Sequence, residues 1–193
     1  MKQPESAASR PRDVYFFATC VVDQFFPGAG MDAITLLERE GIRVHFPDEQ
    51  TCCGQPAYTS GFPDEARKVA AHQLTLFPND WPVVVPSGSC AGMMKHHYPT
   101  LFAADPVRKA QAEALSARIY ELTDFLVNVL NFQPEDKGSD CTVVLHTSCS
   151  ARREMGVHLT GRKLLGGLKG VKVAQQDHES ECCGFGGTFS VKQ

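Results

Sequence analysis

Residues 14–20 read VYFFATC, and residues 142–149 read TVVLHTSC. Each is a β-rich apolar run that gives way to small polar residues and then a cysteine. That is the pattern of a buried strand delivering a thiol into the loop beyond it. Val83–Val85 followed by Pro86-Ser87-Gly88-Ser89-Cys90 repeats the arrangement. Strands are thus expected at Val14–Ala18, Val83–Val85 and Thr142–His146. Helical patterns lie between them. Met31–Glu40 carries Ile34 and Leu37 before Gly41 ends it. Asp64–Phe77 places Ala66, Val69, Ala70, Leu74 and Phe77 on one face. Pro106–Leu130 opens on proline and spaces Leu115, Ile119, Leu122, Leu126 and Val129 helically. Strands alternating with helices predict an α/β fold whose sheets are largely parallel and covered on both faces. Ligands of such sheets collect beyond the carboxyl ends of the strands. Cys20, Cys90 and Cys149 are expected there, in loops.

The cysteines themselves form a repeat. Cys52-Cys53-Gly54 and Cys182-Cys183-Gly184 are identical triplets, each preceded by a single cysteine. Between Cys20 and Cys52 lie 31 residues, and between Cys149 and Cys182 lie 32. With the matching strand words, this is an internal duplication offset by about 130 residues, which predicts two related units. Seven cysteines belong to it: Cys20, Cys52, Cys53 and Cys90 in the first copy, and Cys149, Cys182 and Cys183 in the second. Cys141, one residue ahead of the third strand run, stands outside and reads as a structural thiol.

Bulk properties narrow the chemistry. The chain has 193 residues, 42% of them hydrophobic, and a formal net charge of −3. That balance gives no electrostatic reason to expect nucleic acid or an anionic membrane as partner. The opening MKQPESAASRPRD lacks the apolar centre of a signal peptide. No apolar run approaches the roughly 20 residues that a transmembrane helix needs. A soluble, cytoplasmic protein is the expectation, and in a reducing compartment eight cysteines point to metal or redox chemistry rather than disulfides.

Two vicinal cysteines with two distant ones match neither the close C-x2-C pairs of structural zinc sites nor the tight runs of ferredoxins. A strained vicinal disulfide accounts poorly for a duplicated pattern. Four thiolates around an iron–sulfur cluster account for it well, zinc at one site and thiol–disulfide chemistry remaining as alternatives. A cluster with four thiolates carries a net charge of about −2 that needs stabilising when partly buried. Candidates are the backbone N–H groups of Ser87-Gly88-Ser89 and Gly184-Phe185-Gly186-Gly187, with Lys95, Arg152 and Arg153 as cations. His96-His97 and His146 lie near the cysteines in sequence and are expected to hydrogen-bond or pack there. No flavin or nicotinamide fingerprint occurs.

At this point the residues resemble a known family. CCGQP at 52–56, SGSC at 87–90, HHYP at 96–99, CSARR at 149–153 and CCGFGGTFSVK at 182–192 are similar to the cysteine-rich (CCG) domain family. The resemblance is nearest to its lactate-utilization, glycolate-oxidase-like iron–sulfur oxidoreductase branch, with the heterodisulfide reductase branch more distant. It runs from about residue 14 to the end of the chain. It implies two pseudo-repeated α/β domains, at 13–135 and 136–193, after a flexible segment 1–12. The second is expected to be incomplete at its C-terminus, because relatives continue past SVK to another cysteine loop. It further implies iron–sulfur clusters of the 4Fe–4S type on the cysteine motifs, with Cys20, Cys52, Cys53 and Cys90 a full set and Cys149, Cys182 and Cys183 an incomplete one, electron transfer in oxidising L-lactate or another 2-hydroxy acid, and partner subunits of a lactate or glycolate oxidation complex. Where the heterodisulfide reductase relatives close the first motif with C-x-x-C, this chain has Met93, leaving four cysteines for a four-thiolate cluster.

Overall fold

The computed structural model describes residues 10–135, 138, 140–182 and 184. The first strand, β1 (Asp13–Phe16), sits near the centre of a four-stranded parallel sheet. Its neighbours are β2 (Arg43–His45) and β3 (Val83–Val85), and β3 in turn pairs with β4 (Ile119–Glu121), for an order β2-β1-β3-β4. Register is set by Val14 opposite Val44, Phe16 opposite Val84 and Val84 opposite Tyr120. Alternating side chains feed two cores, as the two-residue period of a strand requires. Val14, Phe16 and Val84 pack on one face with Leu37, Ile42, Phe125 and Leu126. Tyr15, Phe17, Val83 and Val85 pack on the other with Ala66, Ala70, Phe77, Met93 and Tyr98.

Each strand of this sheet hands over to helices. β1 leads into α1 (Cys20–Phe25) and α2 (Pro27–Arg39); β2 leads into α3 (Gln55–Thr59) and α4 (Pro63–Gln73). β3 leads into α5 (Gly88–Gly92), a π-helical turn Met93–His97, α6 (Tyr98–Leu101) and α7 (Pro106–Ser116). Proline at the start of α2, α4 and α7 uses a position where no N–H is needed. After β4 come α8 (Leu122–Asp124) and a second π-helical turn, Phe125–Val129.

The second half repeats the opening on a smaller scale. β5 (Cys141–Val144) and β6 (Val171–Ala174) form a two-stranded parallel sheet, joined through α9 (Cys149–Arg153) and α10 (Val157–Gly166). The α/β class, the parallel sheets and the pseudo-repeat are as the sequence indicates. No helix among the described residues is long and apolar enough to cross a membrane.

Several boundaries depart from expectation. Pro106–Leu130 is not one helix: it breaks after Ser116, and Ile119–Glu121 becomes the edge strand β4. Ile119, read as a helical core position, is buried because β4 pairs with β3, and a strand of β-branched and aromatic residues satisfies that pairing better than a helix does. β2 and β6 leave no clear signal in the sequence because three- or four-residue strands show almost no alternation. Cys141 is itself the first residue of β5, and it is exposed.

The two halves meet most closely where α5 lies on α9. A Cβ on Gly88 of α5 would collide with the Cβ of Ala151 in α9 and lie 2.5 Å from its Cα. A Cβ on Gly92 would collide with the carboxylate end of Glu154 and lie 3.4 Å from its Cβ. Around this contact, His97 faces Glu154 at 3.3 Å, the Thr123 and Thr160 hydroxyls lie 2.6 Å apart, and Met155 enters the first core. Gly88→Ala is therefore expected to cost about 1–3 kcal/mol of unfolding free energy in urea titration, since backbone must shift. Gly92→Ala should cost clearly less, because Glu154 can swing aside. Equal costs would refute the close helix contact.

Candidate thiol site

The parallel sheet explains why distant cysteines meet. Because β1, β2 and β3 are neighbours running the same way, their carboxyl ends open on one edge, where parallel sheets bind their ligands. Beyond β1 comes Cys20, beyond β2 come Cys52 and Cys53, and beyond β3 comes Cys90. Instead of lying in loops, Cys20 and Cys149 each begin a short helix, α1 and α9, and Cys90 lies within α5. The strand-to-helix turns are tighter than the sequence indicates. None of the described cysteines is in a disulfide.

The four thiols of the first copy form a continuous run. Cys20 lies within hydrogen-bonding reach of Cys52, Cys52 of Cys53, and Cys53 of Cys90. The hydrogen bond from Cys53 is the main influence on Cys52, and with help from the Gly54 N–H and Cys20 it draws that thiol down to about 6. Burial first, and then the charges of Cys52 and Cys90, push Cys20 up to about 11. Cys90 is drawn down by Cys53 and by the hydroxyls of Ser87 and Ser89, against the effect of its own burial. Cys53 is pushed well up, chiefly by its hydrogen bonds to Cys52 and Cys90. Two of the four positions thus favour thiolate, the form that a metal ligand requires.

The Cys-Cys-Gly turn is built for this. Gly54 has φ 85°, in the left-handed region that side chains avoid, and its N–H points at Cys52 Sγ at 3.4 Å. A Cβ there would also come within 3.3 Å of the Ala66 carbonyl. The turn is tied down by Tyr98, whose buried hydroxyl donates to the Cys53 carbonyl at 2.9 Å. Gln50 secures the Cys20 side: its amide donates to the Phe16 carbonyl at 2.9 Å and accepts from the Ala18 N–H at 3.1 Å. Directly after Ala18, Thr19 is held at φ 66°, ψ 146°, a conformation costing a non-glycine residue about 1–3 kcal/mol. Tyr98, Gln50 and Thr19 carry no sequence signal of their role; it depends on neighbours 30 to 45 positions away. A cavity of about 490 Å³ opens beside Cys20 and Cys52, lined also by Asp23, Gln24, Phe46 and Asp48.

The second copy reproduces the turn. Gly184 has φ 77°, and its N–H points at Cys182 Sγ, again at 3.4 Å. Cys182 is drawn down first by that N–H, then by a hydrogen bond with Cys149 and the charge of Arg153. Cys149 and Cys182 are thereby brought together; Cys183, with Phe185, Gly186 and Gly187, lies outside the described residues.

Other expected neighbours are engaged elsewhere. Lys95 donates to the Ile119 carbonyl at 2.7 Å and lies over the Tyr120 ring, so it braces the sheet edge. His96 and His97 both turn to Glu154, and Arg152 pairs with Glu179 at 2.9 Å. Ser87 and Ser89 reach Cys90 through their hydroxyls rather than backbone N–H groups. Met93 is fully buried in the apolar core.

The donor set suits a cluster in kind: four soft thiols in sequence, with an N–H and hydroxyls aimed at the sulfurs. Among the described residues no three His, Cys, Asp or Glu side chains converge on a point as a single ion would demand.

Comparison with known proteins agrees with this geometry. The family model of the cysteine-rich domain (CCG) matches residues 14–95 and 143–193, the two copies of the motif. The chain is similar to lactate utilization protein A of Geobacillus sp. (strain WCH70), 44% identical over 179 residues, which is 93% of this chain and 75% of that protein. It is likewise similar to lactate utilization protein A of Shouchella clausii (strain KSM-K16), at 45% over 182 residues, 93% of this chain and 75% of the relative. Lactate utilization protein A 1 of Bacillus mycoides (strain KBAB4) is 46% identical over 182 residues, covering 93% and 73%. With both copies of the thiol motif matched and such relatives aligned along nearly all of its length, the chain belongs to the cysteine-rich (CCG) domain family.

Proposed function

We propose that the chain is the iron–sulfur electron-transfer subunit of an L-lactate, or related 2-hydroxy acid, oxidation system, acting in the cytoplasm with partner subunits. The observation that carries the reading is the unbroken run Cys20–Cys52–Cys53–Cys90 with the Gly54 N–H on Cys52 Sγ. These four thiols would hold a 4Fe–4S cluster, and Cys149, Cys182 and Cys183 would contribute to a second site. When bound, such a cluster supplies a one-electron carrier whose potential depends on hydrogen bonds to its sulfurs.

The Gly54 N–H and the Ser87 and Ser89 hydroxyls stabilise negative charge on Cys52 and Cys90. Tyr98 and Gln50 hold the two thiol-bearing turns against the sheet edge. The Val83–Val85 core and the buried Tyr98 ring exclude water from the inner side, where Cys53 and Cys90 are buried. Cys20 and Cys52 face the cavity. The names of the relatives support lactate as the substrate of the system, and the thiol run supports a redox part in it.

Anaerobic reconstitution with iron and sulfide is expected to load about four of each per occupied site. Replacing Cys52 or Cys90 by serine should remove the first site's share and its EPR signal, whereas Cys141→Ser should leave both unchanged. Unaltered iron and sulfide in the Cys20, Cys52, Cys53 and Cys90 variants would overturn the reading. Zinc in place of iron after anaerobic purification would favour a non-redox metal module. A single alkylation-sensitive cysteine with metal-independent activity would favour thiol–disulfide exchange.

The supports of the turn give a second check. Gly54→Ala must strain a positive φ and press on the Ala66 carbonyl, and Tyr98→Phe leaves the buried Cys53 carbonyl without its donor. Each should lower unfolding free energy by about 1–3 kcal/mol and hasten cluster loss in air, read as bleaching of the visible absorbance. Wild-type bleaching rates in both variants would show that these residues do not hold the site.

A further inference from the structure

Exposed apolar side chains gather on α1 and the start of α2, next to the thiol cavity that Cys20, Gln24 and Phe46 line. Among the described residues nine large hydrophobic side chains lie exposed, and five of them are Val21, Phe25, Phe26, Met31 and Phe46. The other four are Phe62, Val107, Val144 and Leu159. Phe25 and Phe26 are 71% and 62% exposed, and α1 buries none of its residues. Val21 and Phe25 are four positions apart and share a face of α1. The adjoining face carries Cys20 and Gln24 into the cavity, and Phe46 lies across from them. A short helix that buries nothing of its own, with Phe25 and Phe26 exposed at its end, is a surface awaiting cover.

The charges around it say what kind of cover fits. Asp23, Asp32, Asp48 and Glu49 are all exposed. No Lys or Arg occurs between Arg12 and Arg39, or between Arg43 and Arg67. An anionic bilayer would be repelled by such a rim. A second copy pairing through the same face would set carboxylates against carboxylates. A small carboxylate would enter the cavity against Asp23 and Asp48. A protein surface with an apolar centre ringed by lysine and arginine meets every feature, since interfaces enrich aromatic residues and methionine at the core and place complementary charge at the rim.

We propose that α1, the first turns of α2 and the Phe46 loop form the docking face for a basic-rimmed redox partner protein seated over the Cys20–Cys52 cavity. Electron carriage by that partner rests on the cluster reading above; the docking itself rests on the apolar patch and its acidic rim.

The test uses the full chain in its source cells, with photoreactive benzoylphenylalanine at Phe25 and, as control, at Val107. Irradiation and mass spectrometry should join position 25 to a second polypeptide that carries a redox cofactor, at a peptide containing Lys or Arg. The yield should fall about tenfold in the Phe26→Glu/Asp32→Lys variant, and fall also in extracts as salt rises from about 0.05 to about 0.5 M. That variant should retain wild-type iron and sulfide, which also verifies its fold; if it does not, Phe25 exchanged for serine in a separate competition cross-linked through Met31 supplies the same comparison. Linkage to the chain's own copy or to lipid, no linkage, or the same product from position 107 would overturn the docking face. Linkage from position 25 in a wild-type chain that takes up no iron or sulfide on anaerobic reconstitution would instead overturn the proposed function and leave the docking face standing.

Discussion

Parallel pairing of β1 with both β2 and β3 is the constraint on which the thiol site depends. Antiparallel pairing would send alternate loops to opposite edges and separate Cys20 from Cys52 by the length of the sheet. In the parallel arrangement three successive strands end side by side, so thiols up to 70 positions apart become neighbours. The register is held by side chains that are wholly buried: Val14, Phe16, Val83, Val84 and Val85. A slip of one residue would turn each of them to the wrong face. At roughly 1.5–3 kcal/mol per buried apolar side chain, these five hold the strands in the two cores. The site takes its rigidity from that core.

On this platform the local chemistry is set by a few fixed donors. Glycine ends the Cys-Cys-Gly triplet because the chain leaves it at positive φ to enter α3, while its N–H stays on the Cys52 sulfur. The same left-handed turn and the same 3.4 Å contact recur at Gly184 and Cys182. Strain is tolerated next to it: Thr19 holds an unfavourable conformation with its backbone neighbours clamped by Gln50. Such strain persists where surrounding contacts determine the geometry more firmly than the residue's own preference.

The two copies of the motif are also physically joined. α5, which carries Cys90, lies directly on α9, which begins with Cys149, through Gly88 and Ala151. Small residues in SGSCAG and CSARR therefore serve contact between the halves as well as the turns around the sulfurs. His96 and His97 belong to the same seam through Glu154.

The cysteine repeat, the α/β class, the strand Val83–Val85 and the face of α4 were legible in the chain alone, because identical triplets, apolar runs and a 3.6-residue period are local signals. The edge strand β4 was not, since Ile119, Leu122 and Leu126 continue a helical spacing that only pairing with β3 interrupts. Nor were the roles of Lys95, His96 and His97, which sequence proximity placed by the thiols and packing turned toward Ile119 and Glu154. Sequence by itself determined which thiols recur: seven cysteines in a repeated motif and the glycines that follow the paired ones. Tertiary structure decided which of those atoms meet, which are drawn toward thiolate, and that an acidic, phenylalanine-bearing surface borders them. The reason is physical: side-chain identity is written residue by residue, whereas proximity, burial and charge environment are set by the packing of strands far apart in the chain.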